Sequence, residues 1–154
     1  MAIDKTDVSL LNLLQSNTKL NTKELAQKVG LSVTPTYERI KRLEKEGYIR
    51  QYVAILDRKL IDKNLMVISF VSLILHSNDM QIEFEKSVVE YPEVIECFHV
   101  TGSYDYQLKV IVSDMEEYQA FIKNKLSSIN NIANVQSSFV MSSLKDTTAI
   151  PIIA

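Results

Sequence analysis

The sequence predicts an α+β protein: an N-terminal winged helix-turn-helix followed by a ferredoxin-like βαββαβ domain. Three observations lead there. Residues 1–55 carry apolar side chains at helical spacing between recognisable helix-start signals. From Met66 onward, apolar β-branched runs and helical stretches follow one another in the order strand, helix, strand, strand, helix, strand. Charge divides along the same line, with nine Lys and Arg against six Asp and Glu in residues 1–55, and eight against thirteen in residues 56–154. The expected domains are 1–55, a linker at 56–64, and 65–154.

The 154 residues are 46% hydrophobic, enough to pack cores and too apolar for an unfolded chain. The longest apolar run, Leu65 to Leu75, falls well short of the roughly 20 residues a membrane-crossing helix needs. Asp4 and Asp7 stand where a secretory leader would be basic and then apolar, so the expected setting is the cytoplasm, with no membrane partner. The single cysteine, Cys97, excludes an internal disulfide and suits a reducing compartment.

The first helix follows Asp4, with Val8, Leu11 and Leu14 on one stripe, Leu10 widening it, and Asp4 and Asp7 at the positive end of the helix dipole. The second opens with Asn21 and Glu24 at capping-box spacing, buries Leu25, Ala26 and Val29, and stops at Gly30. The third begins at Ser32 as N-cap. Pro35 falls in its first turn, where a missing N–H leaves no bond unmade. At 100° per residue, Val33, Thr36, Ile40, Leu43 and Gly47 gather on one side of this helix. Thr34, Tyr37, Glu38, Lys41, Arg42 and Lys45 spread over the other, with Arg39 at the flank.

A charged helix face is often only a solvated one. Here it is the second of two helices joined by a short turn containing Gly30, and it is basic over its length, which matches a helix-turn-helix reading the major groove. Short hydroxyl residues and Tyr37 suit the base edges, and the bases suit phosphates. Glu38 could accept from a cytosine amino group or pair with Lys41 or Arg42. The alternation of Tyr48, Arg50 and Tyr52 with Ile49, Val53 and Ile55 predicts a strand or small hairpin, the wing of such a domain.

In the second half, strands are expected at Met66 to Leu75, Val94 to Val100, Tyr106 to Val112 and within residues 134–144. Helices are expected over residues 78–91 and after Asp114, where Asp114 and Glu117 have capping-box spacing. This split βαβ plan puts both helices on one sheet face, and a second copy of the chain is the expected cover for the other. Gly102 sits between two strands at a position suited to a hairpin turn. Beside it, Asp105 lies between Tyr104 and Tyr106. Loop N–H groups can hold an α-amino acid's carboxylate while Asp105 takes its ammonium. His76 and His99 have no metal-ligand spacing with Cys97 or each other, and there is no nucleophile elbow or phosphate-cradling glycine loop. Neither a metal, nor a cofactor, nor an enzymatic activity is expected.

Four stretches resemble the Lrp/AsnC ("feast/famine") transcription regulators: "IDKTDVSLLNLLQ", "ELAQKVGLSVTPTYERIKRLEKEGYI", "HVTGSYDYQLKVIV" and "SSFVMSSLKDTTAIP". They lie in the family's order over nearly the whole chain. The resemblance implies a sequence-specific, double-stranded-DNA-binding regulator whose second domain dimerises, often assembles to an octamer, and binds a free amino acid between dimers.

Carried onto this sequence, the DNA-reading helix is Ser32 to Glu46. Arg39, Lys41, Arg42 and Lys45 would contact phosphate or guanine, and Ser32, Thr34, Thr36, Tyr37 and Glu38 would position or read. The effector set is Gly102, Ser103, Tyr104, Asp105 and Tyr106, with Ser137, Ser138 and Phe139 facing it. Arg58 and Asp62 replace the proline and glycine usual in the family's linker. The rival readings are a DNA-compacting architectural protein and an effector-sensing module without DNA binding.

Overall fold

The structure, a computed structural model, describes residues 3–152; Met1, Ala2, Ile153 and Ala154, the outermost residues of the two expected domains, lie outside it. The chain forms two compact units, Met1–Ile55 with Lys145–Ala154, and Leu56–Leu144. The tail from residue 145, expected in the second domain, thus belongs with the first unit.

The first unit is built on α1 (Lys5–Ser16), α2 (Thr22–Val29) and α3 (Val33–Lys45). Two of the three helices start where side chains satisfy the orphan N–H groups. On α1, Asp4 and Asp7 form a reciprocal capping box, and Asn21 and Glu24 do the same on α2. Gly30 ends α2 at φ 71°, the left-handed turn that lets α3 depart in a new direction. Leu10, Leu14, Leu25 and Ile40 form a buried cluster, with Leu13, Leu20, Val29 and Ile49 packed around it. The tail lies on α1 through the Gln15 carboxamide, which accepts from Ile150 N–H (2.6 Å) and donates to Ile150 C=O (3.0 Å).

The wing expected from residues 48–55 is an extended segment that joins no strand among the described residues. Alternation gives a segment two faces, but a strand also needs a ladder of backbone hydrogen bonds, and this segment forms none among the described residues.

The second unit opens with a short 3₁₀ turn, Arg58–Ile61. It comprises β1 (Leu65–Leu73), α4 (Asn78–Val89), β2 (Val94–His99), β3 (Tyr106–Val112), α5 (Met115–Asn124) and β4 (Ile132–Phe139). The strands form one antiparallel sheet in the order β2-β3-β1-β4, the ferredoxin-like arrangement expected. On β3 the period of two is strict: Tyr106, Leu108, Val110 and Val112 are buried against the helices, which contribute Phe84 and Val88 from α4 and Tyr118 and Phe121 from α5. The opposite face carries half-buried Ile68 and Phe70 and exposed Phe98.

At two positions the structure departs from the expected detail. Asp114 caps α5, but the Glu117 carboxylate turns one residue further back, accepting from both Ser113 N–H (2.5 Å) and the Ser113 hydroxyl (2.6 Å) while Lys63 bonds it at 2.8 Å. Asp62, read above as replacing a glycine in the linker, is the sole non-glycine at positive φ among the described residues (56°), so the turn here is left-handed without a glycine.

Candidate nucleic-acid interface and ligand loop

Helix α3 is amphipathic, and the structure sorts its nine candidate residues into three groups. Thr36 is fully buried and its hydroxyl donates to Ser32 C=O, so it packs the helix and offers nothing to a base edge. Val33, expected on the packed side, is instead half-exposed at the helix start. Ser32, Thr34, Tyr37, Glu38, Lys41 and Lys45 face outward. Ser32 occupies the N-cap position without a side-chain cap bond.

Arg39 and Arg42 turn the other way, towards the N-terminus of α1. Arg39 bonds Asp4 at 2.7 Å and Asp7 at 2.8 Å, and Arg42 bonds the second Asp7 oxygen at 2.5 Å. The Asp7 side chain is only 1% exposed. Burial alone would raise its carboxyl, but the Asp4 N–H and the two guanidinium groups outweigh that and hold it below its ordinary value. The Arg39 guanidinium is held above its ordinary value by bonds to Asp4 and Asp7.

Energetics separate the four bases. Lys41 pairs with Glu44 at 2.7 Å and lies over the Tyr37 ring at 5.7 Å, a solvent-exposed pair that water and salt screen and that is easily exchanged. Stripping a guanidinium from buried Asp7 belongs to a class of change that costs about 3–5 kcal/mol. The two arginines expected to touch DNA are therefore tied to acids at the start of α1, and the exposed positive charge on this helix is Lys41 and Lys45. Glu44 itself is fixed twice, by Lys41 and by the Tyr52 hydroxyl at 3.0 Å, which ties the extended segment to α3.

The helical wheel alone placed Arg42 outside. The missed signal was spacing: Asp4 and Asp7 are three residues apart on α1, and Arg39 and Arg42 three apart on α3, so two one-turn ladders of opposite charge can meet.

The β2–β3 loop separates its candidates as well. Gly102 has φ 124°, a conformation that side chains other than glycine rarely adopt. The N–H groups of Gly102, Ser103 and Tyr104 have no hydrogen-bond partner among the described residues. The Asp105 carboxylate accepts from Leu73 N–H at 2.7 Å and lies 3.1 Å from His76 Nε2, and its own N–H donates to Val71 C=O. Tyr104 bonds Gln136 of β4 and its ring lies 5.2 Å from that of Phe70, on the sheet face away from the helices. Ser138 shares that face with Ile68, its register partner.

Tyr106, Ser137 and Phe139 point to the helix side. Tyr106 is buried, donates to Glu85 at 2.8 Å and stacks on His99 at 4.7 Å, which makes it a core residue and not a loop ligand. Ser137 bonds the Tyr118 hydroxyl at 2.6 Å, and that hydroxyl reaches Ser69 at 2.9 Å. The Phe139 ring meets Tyr118 edge-on. Sequence reasoning missed these roles for His76, Gln136, Phe70 and Tyr118: register pairs Phe70 with Gln136, while His76 comes from the segment after β1 and Tyr118 from α5.

Residues 3–50 match the winged helix-turn-helix DNA-binding domain and residues 66–150 the Lrp/AsnC ligand binding domain. A helix-turn-helix with an exposed basic helix, joined to such a domain, defines the class: a DNA-binding transcription regulator. Within it, the chain belongs to the Lrp/AsnC family.

It is 40% identical to the Bkd operon transcriptional regulator of Pseudomonas aeruginosa over 97% of this chain and 98% of that protein. It is 38% identical to the DNA-binding transcriptional activator DecR of Escherichia coli over 97% and 99%. The fold matches a Neisseria meningitidis transcriptional regulator, solved as an L-Met complex, with a TM-score of 0.94 and 37% identity over 97% of both chains.

Proposed function

We propose that the outward face of α3 enters the major groove, with Lys41 and Lys45 on phosphates and Thr34, Tyr37 and Glu38 at base edges near the helix start. Ser32 N–H and hydroxyl groups at that start suit a further phosphate. The observation that carries this reading is the sorting of α3 itself: its exposed side presents two lysines, one bound only by an exchangeable surface pair.

Replacing both, as Lys41→Ala with Lys45→Ala, should weaken DNA binding across all sequences and lower the salt slope by nearly two units, about 0.9 for each phosphate no longer neutralised. An unchanged slope by fluorescence anisotropy over a salt series would remove the assignment.

The same reading gives the β2–β3 loop a free amino acid. The N–H groups of residues 102–104 face its carboxylate, and Asp105, with two of roughly four acceptor positions used, takes the ammonium. A second copy of the chain covers the helix-free sheet face around Ile68, Phe70 and Phe98, and such homodimers assemble further, to an octamer. The protein acts in the cytoplasm and catalyses no reaction.

Because the Neisseria relative binds L-Met, L-methionine is the first effector to try. At a hundred times its Kd a ligand adds about 2.7 kcal/mol to stability. Thermal shift should rise with L-methionine or another of the twenty amino acids, and light scattering should follow the oligomer with and without it. A flat response to all twenty would leave the DNA-binding half of the reading and remove the effector half.

A further inference from the structure

We propose that Asp4 and Asp7 are built-in counter-ions that withhold Arg39 and Arg42 from DNA phosphates and so set how strongly, and how salt-sensitively, this protein binds any duplex. The inference rests on α3 being the DNA-facing helix, and it assigns a role to two acids at the start of α1.

The geometry is specific. Two carboxylates meet two guanidinium groups, so the cluster is neutral as it stands. Neither arginine is sealed away: their side chains are 30% and 32% exposed, and the Asp4 side chain is 52% exposed. A phosphate could therefore compete for them. What holds them back is that the carboxylates are themselves fixed. Asp4 accepts from Asp7 N–H at 2.9 Å and Asp7 accepts from Asp4 N–H at 3.0 Å, so the capping box that starts α1 also aims both acids at α3. Arg39 and Arg42 lie on the flank of α3 one turn apart, next to the exposed lysine face. Sequence-independent affinity for DNA follows the number of phosphates neutralised, so masking two of four positive charges on one helix restrains binding to random DNA.

The test is a charge balance read through salt dependence. Asp4→Asn removes one negative charge yet keeps an oxygen acceptor at the N-cap, where asparagine serves as well as aspartate. The cluster then carries one net positive charge. Binding to a random duplex, measured by anisotropy between about 50 and 300 mM salt, should show a slope steeper by about 0.9 and an affinity up to about eightfold higher near 0.1 M salt. In the double variant Asp4→Asn with Arg39→Gln the cluster is neutral again, and the slope should return to that of the wild type.

An unchanged slope in Asp4→Asn overturns the proposal and leaves Asp4 a helix cap. A double-variant slope below the wild type by about 0.9 also overturns it, because Arg39 would then already sit on a phosphate in the native complex. The Lys41→Ala with Lys45→Ala protein, run beside them, keeps the two ideas apart. If that protein retains the wild-type slope, it is the choice of DNA-facing helix that fails; if it loses slope while Asp4→Asn gains none, only the counter-ion role falls.

Discussion

Asp7 in the helical unit and Asp105 in the sheet unit do related jobs under different conditions. Each carboxylate accepts from a backbone N–H and from a nitrogen-bearing side chain, and each ties together segments far apart in sequence. Asp7 is sealed, with both oxygens on guanidinium groups. Asp105 stands beside a loop whose N–H groups are free to bind, and its partner His76 is exposed. The difference teaches how to tell a carboxylate that holds structure from one that can exchange partners. The count of bonds is similar, and access decides.

The largest effect that could break this comparison is at Asp7. Asp7→Ala leaves Arg39 and Arg42 without their shared acceptor and opens the α1 capping box. Removing one partner of a buried pair costs about 3–5 kcal/mol. Because both arginines can turn to water, the expected loss is near the lower end, about 3 kcal/mol. Amide exchange in α1 and α3 should then quicken by about a hundredfold, with β1 and β3 unaffected. If the loss were below about 1 kcal/mol, Asp7 would be no more structural than Asp105.

Glu117 is the intermediate case and supplies a pH test. Bonds from Lys63 and from Ser113 lower its carboxyl from an ordinary 4.5 to about 2. A carboxylate that ionises more readily in the folded state contributes stability above pH 4.5, and that contribution drains away as the pH falls towards 2. Asp7, also held below its ordinary value, acts in the same direction. Urea midpoints should therefore decline from about pH 5 to about pH 2.5. In Glu117→Gln the part of that decline reported by amides of α5 should disappear, while the part reported by α1 remains.

Much of this was legible in advance, for identifiable reasons. The Asn21–Glu24 box, the Gly30 stop and the strand Tyr106–Val112 rest on interactions within a few residues, and the structure has each where the sequence placed it. The ferredoxin-like order followed from element periodicity alone. What the sequence did not disclose depends on partners far away in the chain. Arg39 and Arg42 turn towards the start of α1 because of acids 32 to 35 residues earlier. Tyr106 leaves the loop for Glu85 on α4, and Gln136 of β4 reaches Tyr104, through contacts between distant elements. The wing is not a strand for a related reason: alternation is local, and no backbone ladder joins residues 48–55 to another segment among the described residues.

Asp62 extends the comparison to an aspartate whose carboxylate has no hydrogen bond or ion pair among the described residues. Its importance lies in its backbone, at φ 56° in the linker turn, where an L-residue other than glycine is strained. Asp62→Gly relieves that strain, which aspartate tolerates better than most, but gives back some of the gain because glycine is freer when unfolded. The net should be a stabilisation of about 0.5 kcal/mol, seen as a thermal midpoint about 2 °C higher. Asp62→Val keeps the turn but adds β-branching at positive φ, so it should move the midpoint down. Were the two substitutions to shift the midpoint alike, the carboxylate and not the backbone would be what matters at Asp62, and it would rejoin Asp7 and Asp105.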